Sequence, residues 1–226
     1  MTPLEYYIYV LAHVVFLVMG IAIISGSCSR PIPWTAAPES FWGMKFISEE
    51  IMTCKYTDTP WQYLPQMVSI PLSLIYIQIY HTYRILSVEH GVSWGSTVLV
   101  VVLPMSVHGL LVLASNDYRT SYQTREDNVN YHFYGVGVFI TGFWIAHLFV
   151  CISYARHKAT INGVYYAKMR RLTYFCIEGL YFFSTIAFAL MTMGNWRHHA
   201  IGVEYVLLIL LVSMNLYSLY ILSRFV

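Results

Sequence analysis

Apolar residues fall in six blocks along this chain, at residues 6–24, 64–85, 94–114, 131–154, 172–193 and 201–222. Most charged residues lie in the segments between them. Each block is near the ~20 residues that an α-helix needs to cross a ~30 Å hydrocarbon core. The pattern predicts an all-α fold, a six-span transmembrane helical bundle with a long luminal first loop. Residues 1–226 then form a single six-span membrane domain, because four of the five connections are too short to hold another one.

Composition agrees. Hydrophobic residues make up 58% of the chain and charged residues only 11%, where a soluble domain carries about twice that charge. The net charge of +2 and a surface given mostly to lipid exclude a nucleic-acid partner. The first block is followed by Ser25-Gly26-Ser27, as a signal peptide would be. Met1–Glu5 has no Lys or Arg for a basic leader, so an uncleaved anchor is expected. No Asn-x-Ser/Thr acceptor site for luminal glycosylation is present.

The charges between the blocks give an orientation. With an even number of crossings, one side carries Arg84, Arg156, Lys158, Lys168, Arg170, Arg171 and Arg224, with Glu5 and Glu89 as its acids. The other carries Arg30, Lys45, Lys55, Arg119, Arg125 and Arg197 together with seven acids. The fourth connection, residues 155–171, holds five basic residues and no acid, and short basic loops of that kind stay cytosolic. Both termini are therefore expected in the cytosol. Arg156, Lys158, Lys168, Arg170 and Arg171 would also attract anionic lipid headgroups, although setting topology is reason enough for them. Cys28 and Cys54 fall in the first loop, on the oxidising side, where a disulfide between them is expected. Cys151 and Cys176 lie inside spans and read as small core residues.

The first loop contains Pro31, Pro33, Pro38 and Pro60. Residues 39–52 fit one amphipathic helix with Phe41, Met44, Ile47, Ile51 and Met52 on its apolar side, and an irregular loop packed on the helix ends fits as well. Pro65 and Pro71 in the second span and Pro104 in the third are expected to kink their helices.

Polar groups inside the blocks need partners, since lipid supplies none. Gln78, His81, His147 and Glu178 lie at one depth and form an expected intramembrane polar core whose members hydrogen-bond one another. Near the other surface lie Glu204, His108, His132, His198 and His199. Three histidines and a carboxylate could hold zinc and activate water. However, no His-x-x-x-His or His-Glu-x-x-His spacing occurs, so neither a metal nor any other cofactor is expected. Phosphate loops, nucleophile elbows and Cys-x-x-Cys motifs are likewise missing from the sequence. Nor are charges repeated at the midplane, as a transporter would have them.

Four places carry a family resemblance. A first-loop cysteine leads into Tyr63-Leu64-Pro65 with Ser69 beyond; Asn130-Tyr131-His132 opens the fourth span, with His147 deep inside it. Arg170-Arg171 precedes an aromatic fifth span, and Glu204-Tyr205 opens the last, with Asn215 further along. In this order the chain resembles the Frag/DRAM/Sfk superfamily, and within it the GPI-anchor lipid-remodelling factor family. It departs from that pattern at Gln62, where the family has Asn, at Tyr217, near the position of a family histidine, and at its Arg224-Phe225 end, where the family has Asp-Phe. The resemblance implies a secretory-pathway or plasma-membrane protein that handles lipid, alongside other membrane proteins. A non-catalytic accessory or scaffold role is the expectation. Its rivals are an enzyme remodelling GPI lipid, with Glu204, His132 and His108 as the acid-base set, and a small transporter.

Overall fold

A computed structural model gives the architecture. It describes residues 1–24, 47, 63–87, 94–115, 125–156, 164–193 and 196–225, without the side chains of residues 125–130, 164–170, 197 and 198. Among the described residues, seven α-helices can be followed end to end: α1 (Pro3–Ile24), α2 (Leu64–Met67), α3 (Ser69–Ser87), α4 (Trp94–Ser115), α5 (Arg125–Arg156), α6 (Val164–Met193) and α7 (Arg197–Leu222). A 3-10 turn, Ser223–Phe225, ends the described chain. No strand occurs among the described residues, and the all-α bundle expected from the sequence is what forms.

The start of α1 is fixed by reciprocal capping. The Thr2 N–H donates to Glu5 Oε2 at 2.7 Å, and the Glu5 N–H donates to Thr2 Oγ1 at 3.3 Å, which satisfies two donors that the first helical turn cannot.

Among the described residues, five helical segments are long and apolar enough to cross a membrane: Pro3–Ile24, Trp94–Ser115, Tyr131–Arg156, Arg171–Met193 and His199–Phe225. The expected second span is not among them, because α3, although 19 residues long, carries Gln78, His81, Thr82 and Arg84 among its apolar residues. Its helix is interrupted at Val68, between α2 and α3. Pro71 has no N–H to give the Met67 carbonyl, and the chain passes the break through Val68 N–H to Leu64 O at 3.1 Å and Leu72 N–H to Val68 O at 3.2 Å. In addition, α3 is the enclosed helix of the bundle. It touches α1, α4, α5 and α7, and Leu72, Ile75, Ile79 and Leu86 are completely buried. A helix surrounded by other helices can carry Gln78, Thr82 and Ser87 among its buried residues, because protein rather than lipid receives them.

Helices α4 and α5 pack backbone to backbone. A methyl group on Gly135 would stand 2.6 Å from the Leu113 nitrogen and 2.7 Å from the Gly109 oxygen; one on Gly109 would meet the Phe139 nitrogen at 2.7 Å. One on Gly142 would collide with Ser106 Oγ. Small residues at these positions are what let two membrane helices approach so closely. Pro104 sits within α4, which continues through it.

Two expectations about boundaries change. The fourth connection, read as a loop over residues 155–171, is largely helical: α5 runs to Arg156 and α6 begins at Val164. Ala167, Lys168, Met169, Arg170 and Arg171 are good helix formers, so α6 continues beyond its apolar block. Cys176, expected in the core, is exposed on α6, whereas Cys151 is buried. The position follows from the helical period, which sets Tyr174, Glu178 and Tyr181 on the inner face and leaves position 176 outside it. Cys28, Cys54 and nearly all of the predicted 39–52 helix lie outside the described residues; Ile47 is the described member, helical and half-buried.

Candidate functional site

Polar side chains concentrate inside the bundle toward the end that carries the N-terminus. Each helix contributes through its own period. On α1, Tyr9 and His13 are one turn apart, and the His13 Nδ1–H donates to the Tyr9 carbonyl at 2.7 Å. A carbonyl can only accept, so the hydrogen is on Nδ1 and neutral His13 offers Nε2 as an acceptor. That Nε2 is buried without a hydrogen-bond partner. The Tyr9 hydroxyl lies 2.7 Å from His81 Nδ1 and ties α1 to α3.

From α3, Gln78 Nε2 donates to Thr82 Oγ1 and to Ser218 Oγ of α7, each at 2.9 Å, while the Thr82 hydroxyl donates to the Gln78 carbonyl at 2.9 Å. His147 of α5 joins two further helices. The Tyr174 hydroxyl of α6 donates to its Nδ1 at 2.6 Å, and its Nε2–H donates to Asn215 Oδ1 of α7 at 3.2 Å. All three residues are essentially inaccessible.

Glu178 completes the layer. It lies on α6 between Tyr174 and Tyr181, all three on the buried face, with Cys151 of α5 within electrostatic reach. The carboxyl is 4% exposed. Neither oxygen has a hydrogen-bond partner among the described residues.

Gln78, His81, His147 and Glu178 were expected to bond one another. They are instead distributed over separate contacts. Gln78 and His81 stand three residues apart yet serve different neighbours, α7 and α1 respectively. The residues that complete these contacts, Tyr9, His13, Thr82, Tyr174 and Ser218, were not singled out from the sequence. His13 carried a usable signal: it is an ionisable residue in the middle of the first apolar block.

The opposite end is built differently. Glu204, at the start of α7, accepts the Ile47 N–H on Oε2 at 2.8 Å. His132 is buried on α5, whereas His108 is exposed on α4. His199 is exposed and lies against Trp196, with ring centroids 5.4 Å apart. No three His, Cys, Asp or Glu side chains converge to hold a metal ion among the described residues; the His198 side chain is outside them. Of the basic cluster, Arg156 is exposed, and the guanidinium of half-buried Arg171 stands 5.8 Å from the centre of the Tyr154 ring. Lys158 and the side chains of Lys168 and Arg170 are outside the described set.

The outer surface is apolar, most of all on α6. Only 11% of its membrane-length window is buried by the rest of the chain, against 28% to 44% for the other four. Leu172, Leu180, Phe183 and Leu190 are more than half exposed.

Long apolar helices packed around a largely apolar core that holds a few buried polar groups, and presenting apolar side chains outward, define an all-α, multi-pass integral membrane protein. No protein-family model, curated protein or solved structure matches the chain.

Proposed function

We propose that this protein is a non-catalytic accessory or scaffold subunit in a lipid-handling membrane pathway, with both termini in the cytosol and a place in the endoplasmic reticulum, Golgi or plasma membrane. The observation that carries the subunit reading is the outer face of α6. A helix with so few of its residues buried by its own chain keeps a broad apolar face for other helices or lipid. The lipid part of the reading rests on the resemblance to the Frag/DRAM/Sfk superfamily in the ordered set from Tyr63-Leu64-Pro65 to Asn215. Glu204, the carboxylate a GPI-lipid enzyme would use, is engaged in holding the first loop through Ile47, which suits an anchoring role.

The test uses a photo-crosslinking amino acid at Phe183 in the native membrane. A subunit yields one discrete protein adduct, and the same reagent at Phe143, which is completely buried, does not. A chain working alone in lipid gives lipid adducts only. Glu204→Gln separates the enzymatic alternative: an enzyme loses lipid turnover and still assembles, whereas the proposed subunit retains its pathway's turnover.

A further inference from the structure

Helix α3 is enclosed except along one stripe. The Tyr9 hydroxyl of α1 lies 2.7 Å from His81 Nδ1 on one side. On the other, a methyl group on Gly95 of α4 would collide with the Tyr83 hydroxyl. Between these contacts the helical period sets Ile70, Ile77 and Arg84 in a line along the axis. Ile70 is 62% exposed and Ile77 47%, and Arg84 is exposed as well. Helices α1 and α4 each pack along α3 but not along one another. The stripe is therefore the floor of a furrow with a helix for each wall.

The furrow changes character along its length. Its floor is apolar at Ile70 and Ile77 and ends in one turn that carries Tyr80, His81 and Arg84. With the Tyr9 hydroxyl donating to His81 Nδ1, the imidazole carries its hydrogen on Nε2, an accessible donor. The Arg84 guanidinium has no acid partner among the described residues. Glu5 of α1, the carboxyl within electrostatic reach of His81, is engaged by the Thr2 N–H.

Depth and length fit one leaflet. The contact between Tyr9 and His81 sets Arg84 level with the first turns of α1, at the surface end of that span. Ile70 lies ~21 Å further in at ~1.5 Å per residue, half of the ~40–45 Å of a bilayer with its headgroups.

We propose that the furrow between α1 and α4 seats one anionic glycerophospholipid, with its phosphate on Arg84 and an acyl chain along Ile77 and Ile70. An unpaired cation at the mouth of an apolar furrow complements a phosphate that carries a tail. The His81 Nε2–H supplies a second donor to the same headgroup. This site is apart from the outer face of α6 and does not depend on the subunit reading.

The full chain is placed in phosphatidylcholine nanodiscs with a trace of phosphatidylserine that bears a diazirine on its acyl chain. After irradiation, adducts are mapped by peptide mass spectrometry. The expected result is an adduct on the peptide holding Ile70 and Ile77, displaced by unlabelled phosphatidylserine and not by phosphatidylcholine. Arg84→Gln lowers that yield about fivefold and leaves the adduct near Phe183, where bilayer lipid meets α6, unchanged. Ile77→Trp fills the furrow and removes the adduct at an unaltered unfolding temperature. Equal yields from phosphatidylserine and phosphatidylcholine reagents would mean surrounding lipid only and overturn the proposal. So would a yield that Arg84→Gln leaves in place, or the absence of any adduct on α3.

Discussion

Glu204 accepts a hydrogen bond from the backbone N–H of Ile47 at 2.8 Å, across 157 residues of sequence. This bond joins the first loop to the start of α7. Ile47 also packs against the main hydrophobic cluster, so this residue is held by a charge-assisted bond and by apolar contact. Glu204→Ala removes the acceptor and leaves a half-buried N–H to find another. The cost expected is about 1–3 kcal/mol. Hydrogen exchange at the Ile47 amide accelerates in Glu204→Ala and stays near the wild-type rate in Glu204→Gln, whose carbonyl still accepts. Equal acceleration in both variants would mean that the charge, not the bond, holds the loop.

Tyr174 and His147 are coupled in the same sense across α5 and α6. Tyr174→Phe leaves Nδ1 of a completely buried imidazole without its donor. A loss of about 1–2 kcal/mol in detergent unfolding is expected, with a double-mutant coupling to His147→Phe near the roughly 0.6–1.7 kcal/mol seen for polar pairs between membrane helices. Strictly additive effects would show that the two side chains do not share a bond.

Glycines on α5 divide sharply. Gly135→Ala drives a methyl group into the Leu113 and Gly109 backbones of α4 and should lower the unfolding temperature markedly, at about 1–3 kcal/mol. Gly137→Ala meets nothing within 4 Å and should be neutral or gain up to about 1 kcal/mol from helix propensity. Unfolding followed by tryptophan fluorescence ranks the two, and the reverse order would contradict the α4–α5 contact.

Cysteine reactivity reports the placement of α6. A membrane-permeant maleimide should modify Cys176, slowly because lipid keeps its thiol neutral, before Cys151, 1% exposed, which it reaches only after denaturation. Peptide mapping reads both positions in one sample. Prompt labelling of Cys151 would place α5 differently from the structure described.

The helices were legible in the sequence because lipid imposes a length and a composition on each span. The exception, α3, shows where that signal weakens. Its polar residues face other helices, so composition alone says less about this segment than about the rest. Polar pairing was harder to read. The 3.6-residue period puts Gln78 and His81 on neighbouring positions of one helix, but only the positions of α1 and α7 decide that His81 meets Tyr9 and Gln78 meets Ser218. Hydroxyls such as Thr82, Tyr174 and Ser218 are common in membrane helices, and nothing in one sequence marks those that receive a bond. The close approach of α4 and α5 was open to reading from Gly109, Gly135 and Gly142, yet glycine in an apolar block signals packing only once the facing helix is known.

The most direct measurement is the mass and composition of the untagged protein purified from its native membrane in mild detergent, repeated for Phe183→Ala with Leu190→Ala. The subunit reading expects a stoichiometric membrane-protein partner with the wild-type chain, and its loss when the outer face of α6 is trimmed while the bundle keeps its unfolding temperature. A monodisperse chain carrying lipid alone, unchanged by the double substitution, would contradict it.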